Sequence, residues 1–199
     1  EIFARFLPRA WRRPLADGEI EPLLEVVQTE LENGETFHEA IRAGLATALT
    51  SPKFLYLAEP SAADDKELRL LDDCEIASRL SYFLWSSMPD DELFRAAQAG
   101  ELTDPANRMA QVDRMLADPK ADRFVTGFAR QWLRTDTFLS FTPDKYLYKQ
   151  YDEKLADAVV REPLEFFRAI LREDLSTLNF IDSDFLVING RLADYSGSE

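Results

Sequence analysis

Residues 72–100 read DDCEIASRLSYFLWSSMPDDELFRAAQAG, and this stretch decides the fold class. Asp72 followed three residues later by Glu75 is a capping box, in which the acid at the cap and the carboxylate inside the first turn satisfy each other's orphan N–H groups. Ile76, Ala77, Leu80, Phe83 and Leu84 then recur at helical offsets, which carries the helix to about Ser86. Met88-Pro89 turns the chain. Asp90, Asp91 and Glu92 load the first turn of the next helix with the charge its dipole favours, and Gly100 supplies its left-handed stop.

The same grammar extends in both directions. Upstream, Phe3, Phe6, Leu7, Ala10 and Trp11 make an apolar stripe over about 3–12, with Pro8 inside it either as a kink or as the true first turn and Pro14 as the end. Ile20, Leu23, Leu24, Val27 and Leu31 predict a helix over about 17–31, stopped by Asn33-Gly34. Thr36 with Glu39 is a second capping box, opening the stripe Phe37, Ile41, Leu45, Ala48, Leu49; Ser51-Pro52 starts a short helix carrying Phe54, Leu55 and Leu57. Downstream, Thr103-Asp104-Pro105 opens a helix to Leu116 and Asp118-Pro119 another to Leu133. Residues 135–148 read as aromatic and irregular. A long helix comes next, over about 152–172, in which Pro163 predicts a kink. The tail mixes strand-like Phe185-Leu186-Val187-Ile188 with a cap signal at Asn189.

The expected class is therefore all-α, with roughly eight helices in two packed, bundle-like units and an irregular C-terminal tail. AEPSAADDKELR at 58–69 lacks apolar periodicity and concentrates Pro, Ser and charge. It separates a small helical domain over 1–60 from a larger one over 70–199, with the linker proper at 61–69.

Composition excludes several functions. Twenty-three Lys and Arg stand against 37 Asp and Glu, a formal net charge of −14, which repels nucleic acid and anionic lipid. No apolar run approaches the ~20 residues that span a bilayer. Cys74 and His38 are the single cysteine and histidine, so neither a c-type haem attachment nor a zinc site nor a paired Glu-x-x-His di-iron site can be assembled, and no cofactor or metal is expected. His38 as a catalytic base and Cys74 as an activated thiol are each weaker readings than packing in a helical first turn. The acidic pairs Asp64-Asp65, Asp72-Asp73, Asp90-Asp91 and Asp182-Ser183-Asp184 read as caps and solvated turns, since none matches a calcium loop.

One local pattern invites more. Arg123, Gly127, Arg130 and Arg134 stack on one helix face at about 100° per residue, opposite Ala121, Phe124, Val125, Phe128 and Trp132. Trp85 falls opposite its own helix's stripe, either because that helix is packed on both sides or because the ring is displayed. Arg123, Arg130, Arg134 and Trp85 are thus the candidate ligand or docking surface, against the plainer reading of ion pairing and central packing.

FLPRAWRRPLADGEI, ALTSPKFLYL, IASRLSYFLWSSMPDDEL, RMLADPKADRFVTGFARQWL and EFFRAILREDLS, in order along the chain, resemble a family of large planctomycete-type proteins of unknown function that often carry a c-type cytochrome domain. Residues from about 3 to 57 resemble its small helical domain and those from about 70 to 195 the larger one. The tail NGRLADYSGS departs from the family pattern at Gly190 and Ser196. The resemblance implies an exported bacterial protein, extracytoplasmic, whose partners are other domains of the same polypeptide, including the cytochrome domain; it supplies no catalytic residue. The resulting expectation is a helical scaffold or interaction module. The alternative is a hydrolase module that attacks an extracellular polymer with paired carboxylates beside Trp85 and Trp132.

Overall fold

The computed structural model describes residues 1–57, 69–144 and 146–197. Every regular element among them is helical, so the class is all-α. Most of the expected linker lies outside the described residues. By packing, the chain forms two compact units: Glu1–Phe83 with Ser87–Val112, and Leu84–Ser86 with Asp113–Glu199. No helix among the described residues is long and apolar enough to cross a membrane.

The first unit begins with α1 (Ile2–Ala10), α2 (Glu21–Glu32), α3 (Phe37–Thr50) and the single turn α4 (Pro52–Leu55). Phe3, Leu7, Ala10 and Trp11 of the first helix and its cap bury against Leu23 and Val27 of α2 and Ala40 and Ala48 of α3. Gly44 lets these helices close in, because a Cβ there would sit 2.6 Å from the Phe3 ring and 2.9 Å from a Val27 methyl. Pro8 lies in the last turn of α1, where its missing N–H costs one hydrogen bond and the helix is about to stop anyway. α2 ends as expected: Gly34 takes φ 90° and Glu35 N–H reaches back to Glu30 O at 3.0 Å.

Of the two capping boxes that the sequence signals, one is complete. Asp72 accepts from Glu75 N–H and Glu75 accepts from Asp72 N–H, each at 2.8 Å, at the start of α5 (Asp73–Trp85). Thr36 accepts from Glu39 N–H at 3.3 Å, while the Glu39 carboxylate turns to Arg42. Asp90 caps α6 (Asp91–Gln98), and Asp104 caps α7 (Pro105–Ala117).

In the second unit a 3-10 turn (Pro119–Ala121) leads into α8 (Asp122–Phe124), a π-helical turn (Val125–Ala129) and α9 (Arg130–Leu133). α10 (Asp136–Leu139) is a single turn in a stretch expected to be irregular. α11 (Glu153–Arg172) runs unbroken through Pro163. Val125, Ala129, Leu164 and Phe167 form this unit's core, with Phe124, Leu171 and Phe180 packed on it. Phe185–Ile188 is irregular rather than a strand: apolar β-branched content alone makes no ladder where no neighbouring strand exists among the described residues. Asn189 caps α12 (Gly190–Ser196) through Leu192 N–H at 3.0 Å.

Candidate functional site

Two buried tryptophans organise the polar chemistry, one in each unit, and they are held alike. Trp11 follows the last residue of α1, and Trp85 is the last residue of α5; in both cases the next residue is left-handed, Arg12 at φ 58° and Ser86 at φ 49°. The Trp11 indole donates to Ala48 O at 3.3 Å and the Trp85 indole to Met115 O at 2.9 Å. Ala48 and Met115 each stand two residues before the end of their helices, α3 and α7, where carbonyls lack intrahelical partners. The two helices are also succeeded by like sequences, Ser51-Pro52-Lys53 and Asp118-Pro119-Lys120. The Ser51 and Asp118 oxygens accept from the N–H groups of Lys53 and Lys120. Each lysine then lies over its tryptophan, Lys53 Nζ at 4.7 Å and Lys120 Nζ at 4.4 Å from the ring centre, in cation–π contact.

The surroundings of the two rings differ. Trp85 is fully buried; Arg114 approaches its ring at 5.5 Å, as Arg13 approaches the Trp11 ring at 5.9 Å, but Arg123 also donates to the Trp85 carbonyl at 3.0 Å. Trp11 instead forms part of the wall of a cavity of about 360 Å³, together with Arg12, Arg13, Lys53, Tyr56, Cys74, Ser78 and Arg79. Arg12 is 6% exposed and both of its terminal nitrogens are engaged: one donates to Ala10 O and Phe54 O, the other to Lys53 O and Tyr56 O, all between 3.0 and 3.2 Å. A single side chain therefore satisfies the carbonyls at the end of α4. Beside it Glu19 accepts from both terminal nitrogens of Arg13 (2.9 and 2.6 Å), from Lys53 Nζ (2.6 Å) and from Ala16 N–H (2.8 Å). The Arg13 hydrogen bonds, opposed by partial burial and reinforced by Lys53, hold the Glu19 carboxyl down at about 2.

Of the residues singled out from sequence, Trp85 leaves the candidate surface, since a fully buried ring has no face for a partner. The arginine ridge does not persist as one row. The π turn at Val125–Ala129 adds about one residue to a turn and shifts the register beyond it, so that Arg123 reaches Trp85 O while Arg130 Nε faces Asp136 at 3.5 Å. Arg134 is the left-handed cap of α9. Two aromatics expected in the core are partly exposed, Phe128 at 42% and Trp132 at 51%, each keeping one side on the core ring of Phe167 at 5.9 and 6.4 Å. They continue a ring contact series, Phe124 to Phe128 at 5.2 Å, Phe128 to Trp132 at 6.0 Å and Trp132 to Phe180 at 5.3 Å.

His38 is exposed, edge-on to Phe37. Burial first, and then the Asp72 and Asp73 carboxylates, push the Cys74 thiol up, away from the nucleophilic thiolate. Asp73 accepts from the N–H groups of Leu102 and Thr103, a structural tie. Glu162 on α11 is raised by burial alone. A hollow at α2 and α3 holds Glu30, Glu35 and Glu39, but among the described residues no group of three His, Cys, Asp or Glu is arranged to hold a metal. The residues that sequence reading missed are Arg12, Arg13, Glu19 and Lys53. Their signal was the paired arginine after a tryptophan and the Ser-Pro-Lys after a helix.

No curated protein and no solved structure matches the chain. Two families of unknown function do. Residues 1–59 match PSD5, protein of unknown function (DUF1595), and residues 71–197 match PSD4, protein of unknown function (DUF1592). The sequence resemblance thus holds at the level of two adjoining domains of unknown function, and with the second match covering more than half its length the chain belongs to the PSD4 (DUF1592) family.

Proposed function

We propose that the chain is a helical interaction module of a larger exported protein, and that its second unit docks another domain of the same polypeptide, the cytochrome domain suggested by the sequence resemblance being the first partner to test. The observation that supports this reading is the exposed aromatic ledge of Phe128 and Trp132, whose Trp132 ring meets Phe180 at 5.3 Å in a segment that also exposes Leu178 (68%) and Ile181 (86%). Exposed aromatic and aliphatic side chains gathered on one unit mark an interaction surface more often than chance, and aromatic anchors carry much of the energy of such contacts. The hydrolase alternative gains no support, because among the described residues Glu162, the one carboxyl raised by burial, is not lined up with a second acid across either cavity.

Hydroxyl-radical footprinting of the complete polypeptide against the isolated chain tests the reading. Labelling of Phe128 and Trp132 should fall severalfold in the complete polypeptide, and Trp132→Ala should restore the labelling of Phe128. Equal labelling of both rings in the two samples would remove the docking role.

A further inference from the structure

The cavity at Trp11 has the size of a small organic molecule, about 360 Å³, and its wall has a definite chemical bias. In a chain of net charge −14 it gathers four cations, Arg12, Arg13, Lys53 and Arg79, against two carboxylates, Asp72 and Glu75. Both carboxylates are already engaged by the α5 capping box, and Arg69 forks onto Glu75 as well. Arg12 has given its terminal N–H groups to four carbonyls. Glu19 accepts four hydrogen bonds, a full complement for a carboxylate.

Lys53 stands apart. It gives one ammonium proton to Glu19, and no acceptor for the other two is found among the described residues. Arg13 and Lys53 also share the Glu19 carboxylate, so among the described residues one positive charge at the cavity wall is left uncompensated. The remaining wall is apolar or weakly polar: Trp11, Tyr56, Leu57, Cys74 and Ser78. We infer that this cavity binds a small organic acid, with the ligand carboxylate on Lys53 Nζ and a flat apolar body along Trp11, Tyr56 and Leu57. The site lies wholly within the first unit and is independent of the docking surface proposed on the second.

Benzoate is the probe and benzamide its uncharged counterpart. The readout is the Trp11 indole N–H resonance in the whole chain, with the Trp85 resonance as internal control. Benzoate should shift Trp11 saturably and leave Trp85 in place; benzamide should bind about tenfold or more weakly. Lys53→Met should abolish the benzoate shift, Lys53→Arg should retain it, and Arg42→Met, which removes a cation elsewhere in the first unit, should leave it intact. Three results would overturn the inference: no saturable shift with benzoate, equal binding of benzamide, or undiminished benzoate binding in a folded Lys53→Met variant.

Discussion

Trp11 and Trp85 stand in corners assembled from the same parts, yet one ring borders a cavity and the other is sealed. Both tie a helix end to the last turn of another helix, and both lie under a lysine that comes after a capped proline. The difference lies in what the chain does beyond that lysine. Past Lys120 it continues at once into one long helical run, α8, the π turn and α9 over residues 122–133, and Arg123, three residues on, reaches back to Trp85 O. Past Lys53 the described residues make the single turn α4, whose carbonyls are gathered up by Arg12, and leave the space beside the ring open. One local device thus serves as a plug or as a wall according to the length of the helix attached to it.

The comparison can be broken most directly at the rings. Trp85→Ala should destabilise the protein by about 3–5 kcal/mol, because it empties a fully closed site. Trp11→Ala should cost less, about 2–3 kcal/mol, because its ring already adjoins open volume. Denaturant midpoints at a shared slope measure both, and equal costs would mean that the cavity does nothing to relieve the substitution.

The left-handed residues should respond with opposite sign. Arg12→Gly relaxes the backbone but frees the carbonyls of Lys53, Phe54 and Tyr56, for a net loss of about 2–3 kcal/mol. Ser86→Gly relaxes the same conformation without breaking such a clamp and should stabilise by about 0.5–1 kcal/mol. If thermal melts move both variants in the same direction, the contrast drawn between clamp and plain turn is wrong.

A smaller effect should appear with pH. Glu19 ionises near 2 in the folded chain, below its ordinary value of 4.5. Its contribution is therefore fully present above about pH 5 and is lost as pH falls towards 2. Solvent screening at the partly exposed Arg13 and Lys53 leaves about 1–2 kcal/mol of it. The stability gap between wild type and Glu19→Gln should narrow by that amount from pH 6 to pH 2, and a constant gap would show that Glu19 contributes nothing through its charge.

Much of this architecture is legible in the sequence because it is written in local chemistry. Asp72 and Glu75, Asp90, Asp104 and Asn189 announce helix starts through side chains that must sit within three residues of their targets. Gly34 and Gly100 announce stops through conformations that other residues resist. The site is less legible because its parts are brought together from far apart: Arg12 meets Phe54 and Tyr56, and Lys53 meets Glu19, only after the helices pack. Periodicity fails at one identifiable place. A count of 100° per residue assumes a uniform helix, and the π turn at Val125–Ala129 breaks that assumption, splitting the arginine row. Trp85 poses a different difficulty, since an aromatic opposite its helix's stripe is compatible with display or with burial until the neighbours are known.

The graded exposure of the three tryptophans, 0% at Trp85, 6% at Trp11 and 51% at Trp132, gives the molecule three built-in optical reporters. Trp132 should dominate the red edge of the emission and be the ring most readily quenched by acrylamide, so a partner settling on the aromatic ledge would be seen as a blue shift with loss of quenching. Trp11, beside its cavity, should respond to small solutes that leave Trp132 untouched. Trp85, shielded from both, supplies the steady background against which the other two are read, and each event can be followed without a label.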